Sequence, residues 1–227
     1  MKTIVIGDTH GCYNELVTMI EMLEEDGEYN KDTDKLVFLG DYIDRGANSR
    51  KVIEYVRSLQ KDNKNVIALM GNHEDMLLNY LDGIDANWTY NGYEATMDSY
   101  VGYADQFEDD IAWMRTLPLY HEDDNFIYVH AGVDINKPME EQDRFTLLWV
   151  RAPFINNAHK YHKTVIFGHT PMIGEKDAKP EYTVGNNIGI DTGCVFGYNL
   201  TALIIEDGGI DGYYQVEYNY KNDKVNA

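Results

Sequence analysis

The polarity of this chain changes period several times, and those changes divide it into elements. Lys2 to Ile6 is a short apolar run ending at a glycine, which reads as a buried strand. Tyr13 to Glu25 then sets Leu16, Ile20 and Leu23 on one helical face. The alternation returns twice. Lys35 to Leu39 predicts a strand, Asp41 to Ala47 a polar loop, and Asn48 to Gln60 a helix capped by Asn48 or Ser49, with Val52, Ile53, Val56 and Leu59 turned inward. Asn65 to Met70 predicts a third strand, Gly71 to His73 a third polar loop, and Glu74 to about Leu81 a third helix. Ligands of open α/β sheets gather at the C-terminal ends of strands, and all three polar loops fall there.

From Gly83 to about Ala104 the periodicity fails, and Trp88, Tyr90, Tyr93, Tyr100 and Tyr103 mingle with Gly92 and Gly102. We expect residues 83–104 to be an insertion, either a locally packed aromatic core or a lid that selects substrates. Asn91 and Gly92 are its candidates for touching substrate. Asp105 to Leu117 resembles an amphipathic helix stopped before Pro118. The second half is richer in strands: Leu119 to His121 and Phe126 to Val129 flank a turn, and Thr164 to Phe167, Asn187 to Ile190, Leu200 to Ile205 and Tyr213 to Tyr218 follow. Asp207, Gly208 and Gly209 should turn the last two against each other. The pattern predicts an α/β fold over residues 1–227 as one domain, with a βαβ first half, a more antiparallel second half, two β layers face to face and helices outside.

Composition narrows the function classes. The net charge of −20 would repel polyanions, which argues against a nucleic-acid partner. No apolar run is long enough to span a bilayer, so no membrane role is expected. The chain opens on a strand instead of a basic patch and apolar core, so we expect no secretory signal and a cytoplasmic location. Cys12 and Cys194 fall in different motif neighbourhoods and fit a reducing compartment. Lys221 to Ala227 reads as a frayed polar tail.

Chemistry is concentrated in five short runs that follow apolar segments: Gly7-Asp8-Thr9-His10-Gly11, Gly40-Asp41 through Asp44-Arg45-Gly46, Gly71-Asn72-His73-Glu74, His130-Ala131-Gly132 and Gly168-His169-Thr170. Asp8, His10, Asp41, Asn72, His130 and His169 supply two carboxylates, one amide oxygen and three imidazoles. Mixed oxygen and nitrogen donors suit Mn²⁺, Fe or Zn²⁺ better than Ca²⁺ or a structural zinc. Taken together the runs read as a site for two divalent ions, Mn²⁺ first among them, at the strand ends.

Those motifs, in that order, resemble the metallophosphoesterases of the phosphoprotein phosphatase family, in particular compact bacterial and phage members. The resemblance implies a β-sandwich of two mixed sheets flanked by helices. It also implies that Asp8 and His10 hold one ion, that Asn72, His130 and His169 hold the other, and that Asp41 bridges them. A hydroxide between the ions would attack phosphorus directly. Arg45, Asn72 and Arg151 would bind the phosphoryl oxygens, and His73, oriented by Asp44, would protonate the leaving oxygen. Glu74 reads as a hydrogen-bond acceptor at a helix start, Asp191 as support for the sheet end near His169, and His121, His159 and His162 as surface histidines. Larger relatives carry a longer C-terminal segment, and its absence implies no regulatory-subunit docking.

Two substrates fit that resemblance. Glu74 after the Asn-His pair resembles the serine/threonine protein phosphatase form of the motif, so a phosphorylated protein or small phosphoester is the first expectation. The run Asp191 to Gly197 resembles symmetrical bis(5'-nucleosyl)-tetraphosphate hydrolases, the alternative. A non-catalytic metal or phosphopeptide binder is a third reading, and retention of every ligand and acid position weighs against it.

Overall fold

The structure, a computed structural model, describes residues 1–174 and 178–219. The expected polar tail, Lys221 to Ala227, lies outside the described residues. In chain order the elements are β1 (Thr3–Ile6), α1 (Tyr13–Glu25), β2 (Lys35–Phe38), α2 (Ser49–Asp62), β3 (Val66–Ala68), α3 (Asn72–Leu81), α4 (Tyr93–Ser99), α5 (Ala104–Met114), β4 (Tyr120–Glu122), β5 (Phe126–Val129), α6 (Arg144–Trp149), α7 (Ala152–Ile155), β6 (Thr164–Phe167), β7 (Glu181–Thr183), β8 (Asn187–Gly189), β9 (Asn199–Glu206) and β10 (Gly209–Glu217).

Two five-stranded sheets result, in the orders β10-β9-β1-β2-β3 and β4-β5-β6-β8-β7. Both are mixed. The first runs parallel through β1, β2 and β3 and antiparallel at β9 and β10. The second runs parallel through β5, β6 and β8, with antiparallel edges β4 and β7. Side-chain alternation explains the layering, because successive strand residues face opposite sides. Val5, Val37, Leu39, Leu69, Leu203 and Ile205 pack between the sheets against Phe126, Tyr128, Ile166, Ile188 and Ile190. Their neighbours Ile4, Ile6, Leu36 and Phe38 face outward onto Leu16, Ile20, Val52 and Val56 of α1 and α2. On the far side, Ile127, Val129, Val165 and Phe167 meet Leu147 of α6 and Phe154 of α7. Each such aliphatic side chain contributes about 1.5–3 kcal/mol on burial, so both sheets are held on both faces.

The expected α/β sandwich with outer helices is thus the observed fold. The β9–β10 hairpin turns at Asp207 and Gly208, both with positive φ (50° and 76°), as a tight hairpin requires. Several local expectations need correction. Helix α3 starts at Asn72, not Glu74, because Gly71 caps it and the Glu74 carboxylate reaches back to the Gly71 N–H. Ser49 begins α2 without capping it, since its Oγ accepts from the Asp44 N–H. The stretch 83–104 is more ordered than its pattern suggested, with a short 3₁₀ turn at Asn87–Tyr90 and helix α4. Helices α6 and α7 and strand β7 are too short to show a period. His121 and His159 are partly buried, His121 stacking on Tyr128 at 5.7 Å. No helix among the described residues is long and apolar enough to cross a membrane.

Candidate active site

The five polar runs converge on one rim of the sandwich, each carried on the turn that leaves a strand or opens a helix. These turns are tight. Of the seven non-glycine residues with positive φ among the described residues, five are His10, Asp41, Asp44, Arg45 and His169. Backbone held in that region persists only where its surroundings over-determine it. Glu74 does much of that work: Oε1 accepts the N–H groups of Tyr42 and Ile43, and Oε2 those of Asp41 and Gly71. A fully buried carboxylate thereby clamps the loop after β2 to the start of α3. Gly168 is needed for a different reason, since a Cβ there would run into the Asp8 carboxylate.

Asp41 lies at the centre. Its Oδ2 is 3.3 Å from His10 Nε2 and 4.0 Å from His73 Nε2, and its Oδ1 is 3.4 Å from His130 Nε2. Asn72 Oδ1 sits 2.8 Å from both His130 Nε2 and His169 Nδ1. Two groups of ligand atoms therefore share Asp41: one with His10 and His73, the other with His130 and His169. Asp8 joins the rim by accepting the His169 N–H on Oδ2 at 2.9 Å, and its Oδ1 is buried without a hydrogen bond.

The proton positions show what this cluster suits. His130 Nδ1 lies 2.9 Å from the Leu39 carbonyl and His10 Nδ1 2.8 Å from the Ile43 carbonyl. A carbonyl only accepts, so both Nδ1 atoms carry the proton. Burial lowers the pKa of both rings and keeps them neutral, which leaves each Nε2 a bare lone pair. His130 Nε2 then faces two further acceptors, Asn72 Oδ1 and Asp41 Oδ1. Such an arrangement is repulsive alone and favourable around a cation, and the carbonyl behind each ring is the partner that orients metal-binding histidines. His169 Nε2 is another buried atom without a hydrogen bond, and burial pushes that ring's pKa down to about 2. Burial works against ionised Asp41, and what favours its charge is positive charge around it, together with the His73 backbone N–H, which donates to its Oδ1 at 3.0 Å. Asp8 moves the other way, raised by burial and by Asp191 and Asp41. The donor set fits divalent metal.

Beside the cluster, His73 Nδ1 is 2.6 Å from Asp44 Oδ2. Asp44 is fully buried and held by two residues that sequence reasoning missed. Trp88 Nε1 donates to both its oxygens at 3.0 and 2.9 Å, and Thr96 Oγ1 donates to Oδ1 at 2.6 Å while accepting the Asp44 N–H at 2.9 Å. Trp88 and Thr96 belong to the segment 83–104, which therefore packs behind the His73–Asp44 pair as well as forming an aromatic cluster. Their only signal in the sequence was the density of aromatics around them. Arg45 is exposed, with Nη1 2.6 Å from His10 Nε2 and its guanidinium 5.4 Å from the Phe196 ring. Gly92 donates no side chain to the rim; its carbonyl accepts the Arg45 N–H at 3.1 Å. Asn91 bonds back to the Asn87 carbonyl. Arg151 stands exposed at the start of α7, near enough to oppose protonation of His130 and His169. Asp191, buried and raised to about 6 chiefly by burial, accepts the Gly193 N–H at 3.0 Å. Cys12 and Cys194, which fall in different motif neighbourhoods of the sequence, are buried together beside Glu15 without forming a disulfide.

Two mixed sheets with acid, amide and imidazole side chains gathered at their strand ends define a metallophosphoesterase, a hydrolase of phosphate esters that uses divalent metal. The family of calcineurin-like phosphoesterases matches residues 1–214, and the chain belongs to it. It is 31% identical over 224 residues, 88% of each chain, to bis(5'-nucleosyl)-tetraphosphatase PrpE [asymmetrical] of Anoxybacillus flavithermus. Among solved structures, a protein serine/threonine phosphatase of Saccharomyces cerevisiae superposes with a TM-score of 0.66 at 17% identity, over 96% of this chain and 80% of that one. A metallophosphoesterase of Sphaerobacter thermophilus does so with a TM-score of 0.61 at 19% identity, over 99% and 92%. These two share the fold.

Proposed function

We propose that this protein hydrolyses the phosphoanhydride of dinucleoside polyphosphates, cleaving bis(5'-nucleosyl) tetraphosphates asymmetrically into a nucleoside monophosphate and a nucleoside triphosphate. The observation that carries the hydrolytic chemistry is Asp41 shared between two imidazole groups beside the buried His73–Asp44 pair. The substrate class rests on the relative named asymmetrical tetraphosphatase, which is matched over most of both chains. That moves the nucleotide reading from the symmetrical branch, and it moves the protein phosphatase reading to second place. The second reading keeps the support of the Glu74 motif.

In this scheme Asp8 and His10 would hold one ion and Asn72, His130 and His169 the other, with Asp41 contributing to both and Mn²⁺ the first choice. When bound, the ions supply positive charge that polarises the phosphoryl group and acidifies solvent. The protein's residues do the rest. Arg45, Arg151 and the Asn72 amide hold phosphoryl oxygens whose charge redistributes in the transition state. Water oxygen forms the new bond to phosphorus and releases one proton to solvent, the bridging P–O bond breaks, and His73 gives a proton to the departing oxygen and regains one from solvent while Asp44 holds the ring. Cys12 and Cys194, both buried and not joined in a disulfide, suit a reducing cytoplasm.

The test is hydrolysis by Mn²⁺-loaded protein of diadenosine tetraphosphate and of a phosphoserine/phosphothreonine peptide side by side, with Asp41→Asn as control and products resolved by chromatography. AMP and ATP in equal amounts, absent with the control, are expected. ADP alone would mean symmetrical cleavage, faster release from the peptide would restore the protein phosphatase reading, and silence on both would point to a binder.

A further inference from the structure

A cleft of about 600 Å³ opens directly from Arg45 and runs between the first turns of α2 and the segment that ends at Tyr103. Its wall carries Arg45, Arg50 and Lys51, opposed by a single carboxylate, Asp98. Three cations within seven residues are unusual in a chain of net charge −20. Arg50 shares its Nη1 with Glu54 at 2.9 Å and Gln106 at 3.1 Å, yet its Nε is buried with no hydrogen bond. The Tyr103 ring, 48% exposed, lies 4.0 Å from the Arg50 guanidinium, so an aromatic face and a cation border the same space. Asn48, also on the wall, precedes α2 without capping it by its side chain, which leaves the positive end of that helix dipole facing the cleft. A second hollow of about 370 Å³, lined by Tyr13, Tyr55 and the Glu54 side chain, also borders Arg50 and Lys51. The volume is within the range of small-molecule sites.

A phosphate monoester needs none of this, because its phosphoryl group ends at Arg45. We propose that the cleft is the subsite for the part of a nucleoside polyphosphate beyond the attacked phosphorus. Lys51 and Arg50 hold the anionic chain and the Tyr103 ring packs on the base. The proposal rests on the nucleotide reading above and adds to it the residues that select long anionic substrates.

The experiment compares kcat/KM for diadenosine tetraphosphate with kcat/KM for p-nitrophenyl phosphate, a substrate too short to enter the cleft, in wild type, Lys51→Gln, Tyr103→Leu and Lys163→Gln. Lys51 and Tyr103 are partly exposed, and Lys163 is a surface lysine paired with Glu122 far from the rim. The ratio of the two constants is expected to fall about tenfold with Lys51→Gln and about fivefold with Tyr103→Leu, and to hold in Lys163→Gln. Wild type that cleaves the dinucleotide, with a ratio unmoved in both cleft variants or lowered equally in Lys163→Gln, would overturn the subsite and leave the nucleotide reading standing. Wild type that cleaves p-nitrophenyl phosphate but not the dinucleotide would overturn both.

Discussion

Replacing Thr96 with valine removes one hydroxyl, with almost no change of volume, from the shell that holds Asp44. That hydroxyl donates to Asp44 Oδ1 at 2.6 Å and accepts the Asp44 N–H at 2.9 Å, and Thr96 is fully buried. No water can take its place without displacing protein. A hydrogen bond to a charged group contributes about 1.5–3 kcal/mol. At about 2–4 °C per kcal/mol for a domain of this size, Tm should fall by about 3–12 °C. The effect on catalysis comes through a different contact. Asp44 sets the His73 ring from 2.6 Å, with a φ of 72° that its neighbours must enforce, and Trp88 still holds the carboxylate after the change. Partial loss of orientation should lower kcat by about 10–100-fold, a fraction of what a general acid contributes, with KM little changed. Steady-state kinetics on p-nitrophenyl phosphate and a melting curve measure both. Thr96→Ser, which keeps the hydroxyl, should recover most of kcat. A lowered Tm with wild-type kcat would show that Asp44 does not need this shell to hold His73, and would refute the positioning role of the segment.

Three further outcomes are expected. Arg45→Gln should lower kcat/KM by about 100-fold, the loss of a bidentate contact to phosphoryl oxygens; an unchanged kcat/KM would remove Arg45 from the phosphate site. Gly92→Ala places a Cβ 2.9 Å from Arg45 Cγ at a φ of 87°, so it should destabilise the fold by about 1–3 kcal/mol and raise KM by shifting the arginine, both read from urea titration and kinetics. The chelator-treated protein should keep nearly the same stability between pH 7 and pH 5, because opposed shifts offset each other. Burial lowers the pKa values of His10, His130 and His169, so the folded state binds fewer protons than the unfolded state, whose histidines titrate near 6.5. Their contribution is present above pH 6.5 and is lost as pH falls. Asp8, Asp191 and Glu74, all raised chiefly by burial, Asp191 to about 6 and Glu74 to about 8, act in the opposite sense: their contribution is present below the usual carboxylate range and lost as pH rises. Three imidazoles against three carboxyls should leave the urea midpoint nearly level from pH 7 to pH 5. A midpoint that rises over that interval would mean the imidazoles are charged in the folded protein.

Much of the first sheet and its helices was legible from the pattern, because β1, β2, β3, α1 and α2 are amphipathic or apolar runs bounded by glycines. The layers were legible too, since alternation along each strand commits one set of side chains to the intersheet core. Short elements escaped: α6, α7 and β7 have at most six residues and too few apolar positions to show a period. The segment around Trp88 escaped for the opposite reason, as its aromatics pack irregularly against residues from elsewhere in the chain.

The candidate site divides the same way. Motif spacing identified Asp8, His10, Asp41, Asn72, His73, His130 and His169, because each follows a strand or opens a helix and glycines beside them let the backbone turn. Only the folded chain makes Asp41 common to two groups of imidazoles, aims both Nδ1 protons of His10 and His130 at carbonyls, and sets Trp88 and Thr96 on Asp44. Only the fold likewise buries Cys12 with Cys194 and lays Tyr103 against Arg50. A sequence determines which residues carry chemistry and which local turn presents them, since those depend on neighbours a few positions away. Which side chains meet across dozens of residues depends on strand order and on sheets closing face to face, and that is decided by packing the whole core at once.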